Sequence, residues 1–99
     1  MKISVKRTGG YAGLSEDVAS INTETLGAAL AQQVEQMARE VRFFDLPAFV
    51  SGGTIGADLF QYEITVTEAD RRHMVVFVDD ESPETAPLRR LVDALIHTA

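Results

Sequence analysis

The side chains able to do chemistry are few, and their spacing suits no common catalytic arrangement. Of the two histidines, His73 falls in a strand-forming run and reads as a polar residue at a sheet edge. His97 falls in the last turn of a helical pattern, where it suits the negative end of the helix dipole. No His-Glu-x-x-His pair puts two imidazoles on one helix face, so a zinc site of that kind is not written here. Ser15, Ser51 and Ser82 have no histidine near them in sequence, and none sits in a Gly-x-Ser-x-Gly elbow. Asp79-Asp80-Glu81 lacks the alternating ligand spacing of a calcium loop and reads as a solvated acidic turn. The absence of cysteine removes disulfides, thiolate catalysis and cysteine-ligated metal clusters. Neither an enzyme nor a cofactor is expected.

What the chain does offer is glycine. Thr8-Gly9-Gly10-Tyr11-Ala12-Gly13-Leu14 follows the first apolar alternation, and its glycines can take positive φ and lie close to another surface. It holds one large amphipathic ring, Tyr11. Two readings stay open from the loop alone: a ring offered to a partner, or a plain turn whose tyrosine folds back on the core. A second glycine loop, Ser51 to Gly56, partly echoes the first. Neither loop runs straight into a helix N-terminus or carries the lysine and hydroxyl of a P-loop, so phosphate binding is not expected.

The elements that must position these loops are legible in part. Lys2 to Arg7 alternates, with Ile3 and Val5 on one face. Glu16 to Thr23 reads as a second strand whose poor period, Val18 followed by Ile21, suggests a bulge. From Glu24 to Phe44 the residues Leu26, Leu30, Val34, Met37, Val41 and Phe44 recur at helical steps. Asn22 or Thr23 can cap this helix, and Asp45-Leu46-Pro47 stops it. Leu59 to Thr67 puts Phe60, Tyr62, Ile64 and Val66 on one face. Glu68 to Arg71 reads as a hairpin turn, and Arg72 to Asp79 as its partner strand. The continuous run Met74 to Val78 suggests a central strand covered on both faces, or a sheet whose second face meets another element. Ser82-Pro83-Glu84 opens a last helix with Leu88, Leu91, Val92, Leu95 and Ile96 as its buried stripe. The expected architecture is α+β in the order β-β-α-β-β-α: a four-stranded antiparallel sheet with two helices on one face.

The 99 residues suit a single domain over 1–99. With 9 basic and 15 acidic side chains the net charge is −6, which is not the footprint of a nucleic-acid binder. No apolar stretch is long enough to span a membrane, and the N-terminus has no signal-peptide h-region, which favours the cytoplasm.

Lys2-Ile3-Ser4-Val5-Lys6-Arg7-Thr8-Gly9-Gly10-Tyr11-Ala12-Gly13 resembles the opening of the emfourin family. Phe43-Phe44-Asp45-Leu46-Pro47, Asp58 to Val66, and Pro87-Leu88-Arg89-Arg90-Leu91 resemble the same family in the same order. The resemblance implies a small bacterial protein inhibitor of thermolysin-like zinc metallopeptidases such as protealysin, acting without a cofactor of its own and monomeric when free. It implies that Gly9, Gly10, Tyr11, Ala12, Gly13 and Leu14 form the contact with the protease. The chain departs from the family pattern at Tyr11, where phenylalanine is frequent. A loop carbonyl, Glu16 or Asp17 would then lie within reach of the enzyme's zinc. The alternative is a non-inhibitory interaction or regulatory module that docks through the same loop or through a sheet edge.

Overall fold

Strict alternation of apolar and polar residues makes Phe60–Glu68 a strand, and it sits in the middle of the sheet. The computed structural model describes residues 1–9, 14–53 and 59–98. In chain order these give β1 (Lys2–Gly9), β2 (Leu14–Asn22), a 3-10 turn (Thr23–Thr25), α1 (Ala28–Glu40) and a second 3-10 turn (Phe43–Asp45). Then follow β3 (Phe49–Val50), β4 (Phe60–Glu68), β5 (Arg71–Val78) and α2 (Ala86–Thr98).

The sheet has five strands in the order β2-β1-β4-β5-β3. β1, β2, β4 and β5 pair antiparallel, and β3 lies parallel to β5. The expected four-stranded antiparallel sheet is thus corrected to a five-stranded mixed one. The added strand is only two residues long. Pro47 ends the preceding turn, and the strand formers Phe49 and Val50 then run beside Val76 and Phe77. The Val76 amide donates to the Ala48 carbonyl at 2.8 Å.

Register puts Ile3 and Val5 of β1 in line with Ile21 and Ala19 of β2 and with Val66 and Ile64 of β4. Val75 and Phe77 of β5 extend the same face. These residues join Val34 of α1 and Leu88, Leu91, Val92 and Leu95 of α2 in one core. The two helices therefore cover one face, as the amphipathic stripes require. The other face carries exposed Lys2, Ser4, Lys6 and Ser20. Met74 and Phe49 also lie bare there, 49% and 53% exposed. Of the outward members of the β5 run, Met74 is exposed, Val76 is half-buried beside Phe49 and Val78 is buried, so the run is covered on both faces only toward its end.

The first helix is shorter than its stripe suggested. Asn22 does cap, accepting from the Glu24 amide at 3.0 Å, but it caps the 3-10 turn. Leu26 is extended, and the α-helix starts after Gly27. At the far end Arg42 takes a left-handed φ of 51°, so the helix stops before Phe43 and not at Pro47. These breaks rotate the buried stripe to Val34 and Ala38 and leave Leu30 46% exposed. The second helix buries the expected leucines, while Ile96 is exposed. Its regular α-turns begin at Ala86, with Ser82 to Thr85 forming a preceding turn.

Candidate functional site

The end of the sheet that carries the first glycine loop is built by three strand ends. Gly9 closes β1, Leu14 opens β2, and Phe60 opens β4. Gly9 pairs with both Leu14 and Phe60. The loop after β1 therefore leaves from an interior strand held on both sides. Gly9 has φ +94°, and a Cβ there would stand 2.9 Å from the Leu59 carbonyl oxygen. Glycine is required at this position by both backbone conformation and space. Of the residues expected to contact a protease, Gly9 and Leu14 thus sit at the two feet of the loop. Gly10, Tyr11, Ala12 and Gly13 lie outside the described residues.

The bulge foreseen in β2 is present, and it decides which residues stand beside those feet. Register shifts between Val5 and Lys6, so Ala19 faces Val5 while Asp17 faces Lys6 and Glu16 faces Arg7. Val18 is the extra residue. The shift brings the Glu16 carboxylate to the Arg7 guanidinium, where the two form an ion pair. Glu16 is accordingly engaged within the sheet and not held out toward a metal; Asp17 is exposed. The Arg7 guanidinium also lies over the Phe60 ring, 4.7 Å from its centroid. Arg7 Nε is buried without an acceptor among the described residues. One step further in, the Tyr62 ring stacks on Phe77 at 5.3 Å.

The second glycine loop is fastened to the same end. The Gly52 amide donates to Asp80 Oδ2 at 2.7 Å, and the Ser82 amide donates to Asp80 Oδ1 at 3.0 Å. Thr85, fully buried, donates its hydroxyl to the same carboxylate. Donation from the Ser82 side chain, then from the Gly52 amide, holds the Asp80 carboxyl down to about 2. A Cβ at Gly52 would stand 2.3 Å from that of Ser82, so the loop approaches the turn more closely than any other residue would allow. Asp80 is therefore a structural tie and not a metal ligand in waiting. Spacing alone did not reveal this role; the signal was Asp80-x-Ser82, an Asx-type turn at a helix entrance. Residues 54–58, which include Thr54, Ile55 and Gly56 of this loop, lie outside the described residues.

The histidines and serines are not brought together. His73 donates from Nε2 to the Leu46 carbonyl at 2.7 Å and stands edge-on to Phe43, beyond the two residues of β5 that β3 flanks. His97 donates from Nδ1 to the Asp93 carbonyl at 2.6 Å, in the last turn of its helix. Ser15 is exposed on β2, and Ser82 belongs to the Asp80 turn. No group of three or more histidine or carboxylate side chains is placed to hold a metal among the described residues. No described helix is long and apolar enough to cross a membrane.

The geometry defines a two-layer α+β protein whose distinctive surface is a sheet end with glycine-footed loops. A family model, Emfourin, matches residues 5–95 of the chain. The chain belongs to the emfourin family. No curated protein and no solved structure matches it.

Proposed function

We propose that this protein, acting as a single domain, inhibits a thermolysin-like zinc metallopeptidase by filling its active-site cleft with the loop from Gly9 to Leu14. The observation that carries this reading is membership of the emfourin family across nearly the whole chain. The sheet supports it by giving the loop rigid feet. Gly9 is paired on both sides, so the loop meets a cleft without first having to order its base. Tyr11 is the side chain with the area to fill the hydrophobic pocket beside the scissile bond, and Leu14 follows it. Burying either contributes about 1.5–3 kcal/mol. The zinc belongs to the peptidase; this chain supplies no catalysis and no cofactor. It acts as a monomer in the cytoplasm in this reading.

Titration into several thermolysin-like peptidases, with free zinc buffered, tests the proposal. Substrate-competitive inhibition that survives excess zinc is expected, together with severe weakening by Tyr11→Ala in a folded variant. Inhibition relieved by added zinc would indicate metal capture instead. No inhibition at micromolar concentration would move the function to an interaction module. Among the described residues, such a module has the outer edge of β2 available. The bulge and the acidic pair Glu16 and Asp17 work against strand addition there.

A further inference from the structure

The helix-covered face of the sheet changes character toward the loop end. Register arranges β1, β2 and β4 into successive rows across that face. The rows Ile3–Ile21–Val66 and Val5–Ala19–Ile64 are buried. In the next, Arg7 and Tyr62 are half-buried and Glu16 is exposed. In the last, Phe60 opposes Gly9 and is 40% exposed. By alternation Phe60 belongs with Tyr62, Ile64 and Val66, yet it alone of the four is out in solvent.

A single exposed aromatic ring is ordinary on a protein surface. Phe60 differs in how it is held. The Arg7 guanidinium lies against one side of the ring, and Glu16 fixes that guanidinium from the neighbouring strand. The ring thus stands on a paired strand with a cation against one side. Aromatic residues, phenylalanine among them, are enriched in protein interfaces. Its cross-strand partner is Gly9, the foot of the loop assigned to the cleft.

We propose that Phe60 is a second anchor of the peptidase-binding surface, seated in an apolar depression at the rim of the cleft, with Arg7 as the residue that positions its ring. This rests on the inhibitor reading. The surface is then bipartite, one part on the loop after β1 and the other on the first residue of β4.

Two variants test it on the peptidase that the parent protein inhibits most strongly. Phe60→Thr keeps a strand former and removes the ring. Phe60→Lys keeps an aliphatic stem over Gly9 but brings a charge that an apolar depression rejects. Both are expected to raise the inhibition constant by on the order of 30-fold, the scale of an interface hot spot, with circular dichroism unchanged. Arg7→Ala is expected to weaken inhibition less. In the double variant with Phe60→Thr it should add almost nothing, because it acts through the ring. Folded Phe60 variants that inhibit like the parent would overturn this proposal and leave the inhibitor reading standing. Unfolding of both variants would show that the ring belongs to the fold, and would also overturn it. A parent protein that inhibits none of the peptidases would remove the inhibitor reading and this proposal with it.

Discussion

Gly9→Ala would place a methyl group 2.9 Å from the Leu59 carbonyl oxygen at a residue whose φ is +94°. Two costs combine. An L-residue held at positive φ loses about 1–2 kcal/mol, and +94° lies well beyond the left-handed helical well. The close contact is with backbone, which cannot swing away as a side-chain tip would. Relief requires the start of β4 to shift, at the expense of the Gly9–Phe60 pairing. Together these come to about 2–4 kcal/mol, within the range of local backbone strain. For a domain of this length that lowers Tm by roughly 8–32 °C. Thermal melts and urea denaturation of parent and variant would measure it, with an unchanged m-value showing that the denatured state is unaffected. A fall of less than about 3 °C, under the value expected from even 1 kcal/mol, would refute the reasoning. Gly9 would then be glycine for the sake of a partner and not for the sheet.

Ala69 sits in the β4–β5 turn at φ 55°, so Ala69→Gly should raise stability by about 1 kcal/mol, read as a Tm rise of about 4–8 °C. Leu95 is fully buried whereas Leu30 is largely exposed. Leu95→Ala should cost about 2–5 kcal/mol in urea titrations, and Leu30→Ala less than about 0.5 kcal/mol. Asp80 titrates near 2 when folded against an ordinary 3.8. Its depressed value makes its contribution present above 3.8 and lost as pH falls through about 2. The stability gap between the parent and Asp80→Asn should therefore close between pH 4 and pH 2 in denaturation curves, and a gap constant over that range would contradict the assignment.

Much of this architecture was legible because single elements carried strong local signals. The alternation of Phe60 to Thr67 fixed both the strand and its inward face, and Leu88, Leu91, Val92 and Leu95 fixed the inward face of the last helix. The irregular step from Val18 to Ile21 pointed to a bulge that exists. Its consequence, Glu16 turned onto Arg7, depends on cross-strand register and could not be read from one strand. β3 was missed because two residues carry no period at all. The long helix was overextended because Leu26 and Leu30 match helical spacing, while Gly27 and the left-handed Arg42 break the helix at its ends. Alternation gives the face on which Phe60 lies but not its exposure, since it carries direction and not depth. The tie from Asp80 to Gly52 joins residues 28 apart in sequence, a distance at which no motif announces a contact.

The position of β1 between β2 and β4 also sets an order of events. The β1–β2 hairpin is local and can form early, but each β1–β4 pair joins residues at least 51 positions apart. Such pairings are slow, because the closure of the intervening chain precedes any gain from contact. Until β4 arrives, the loop's first foot is held on one side only. On a ribosome, more than half of the chain must emerge before Gly9 meets Phe60. This end of the sheet therefore takes its final form late, when the middle strand slots into place.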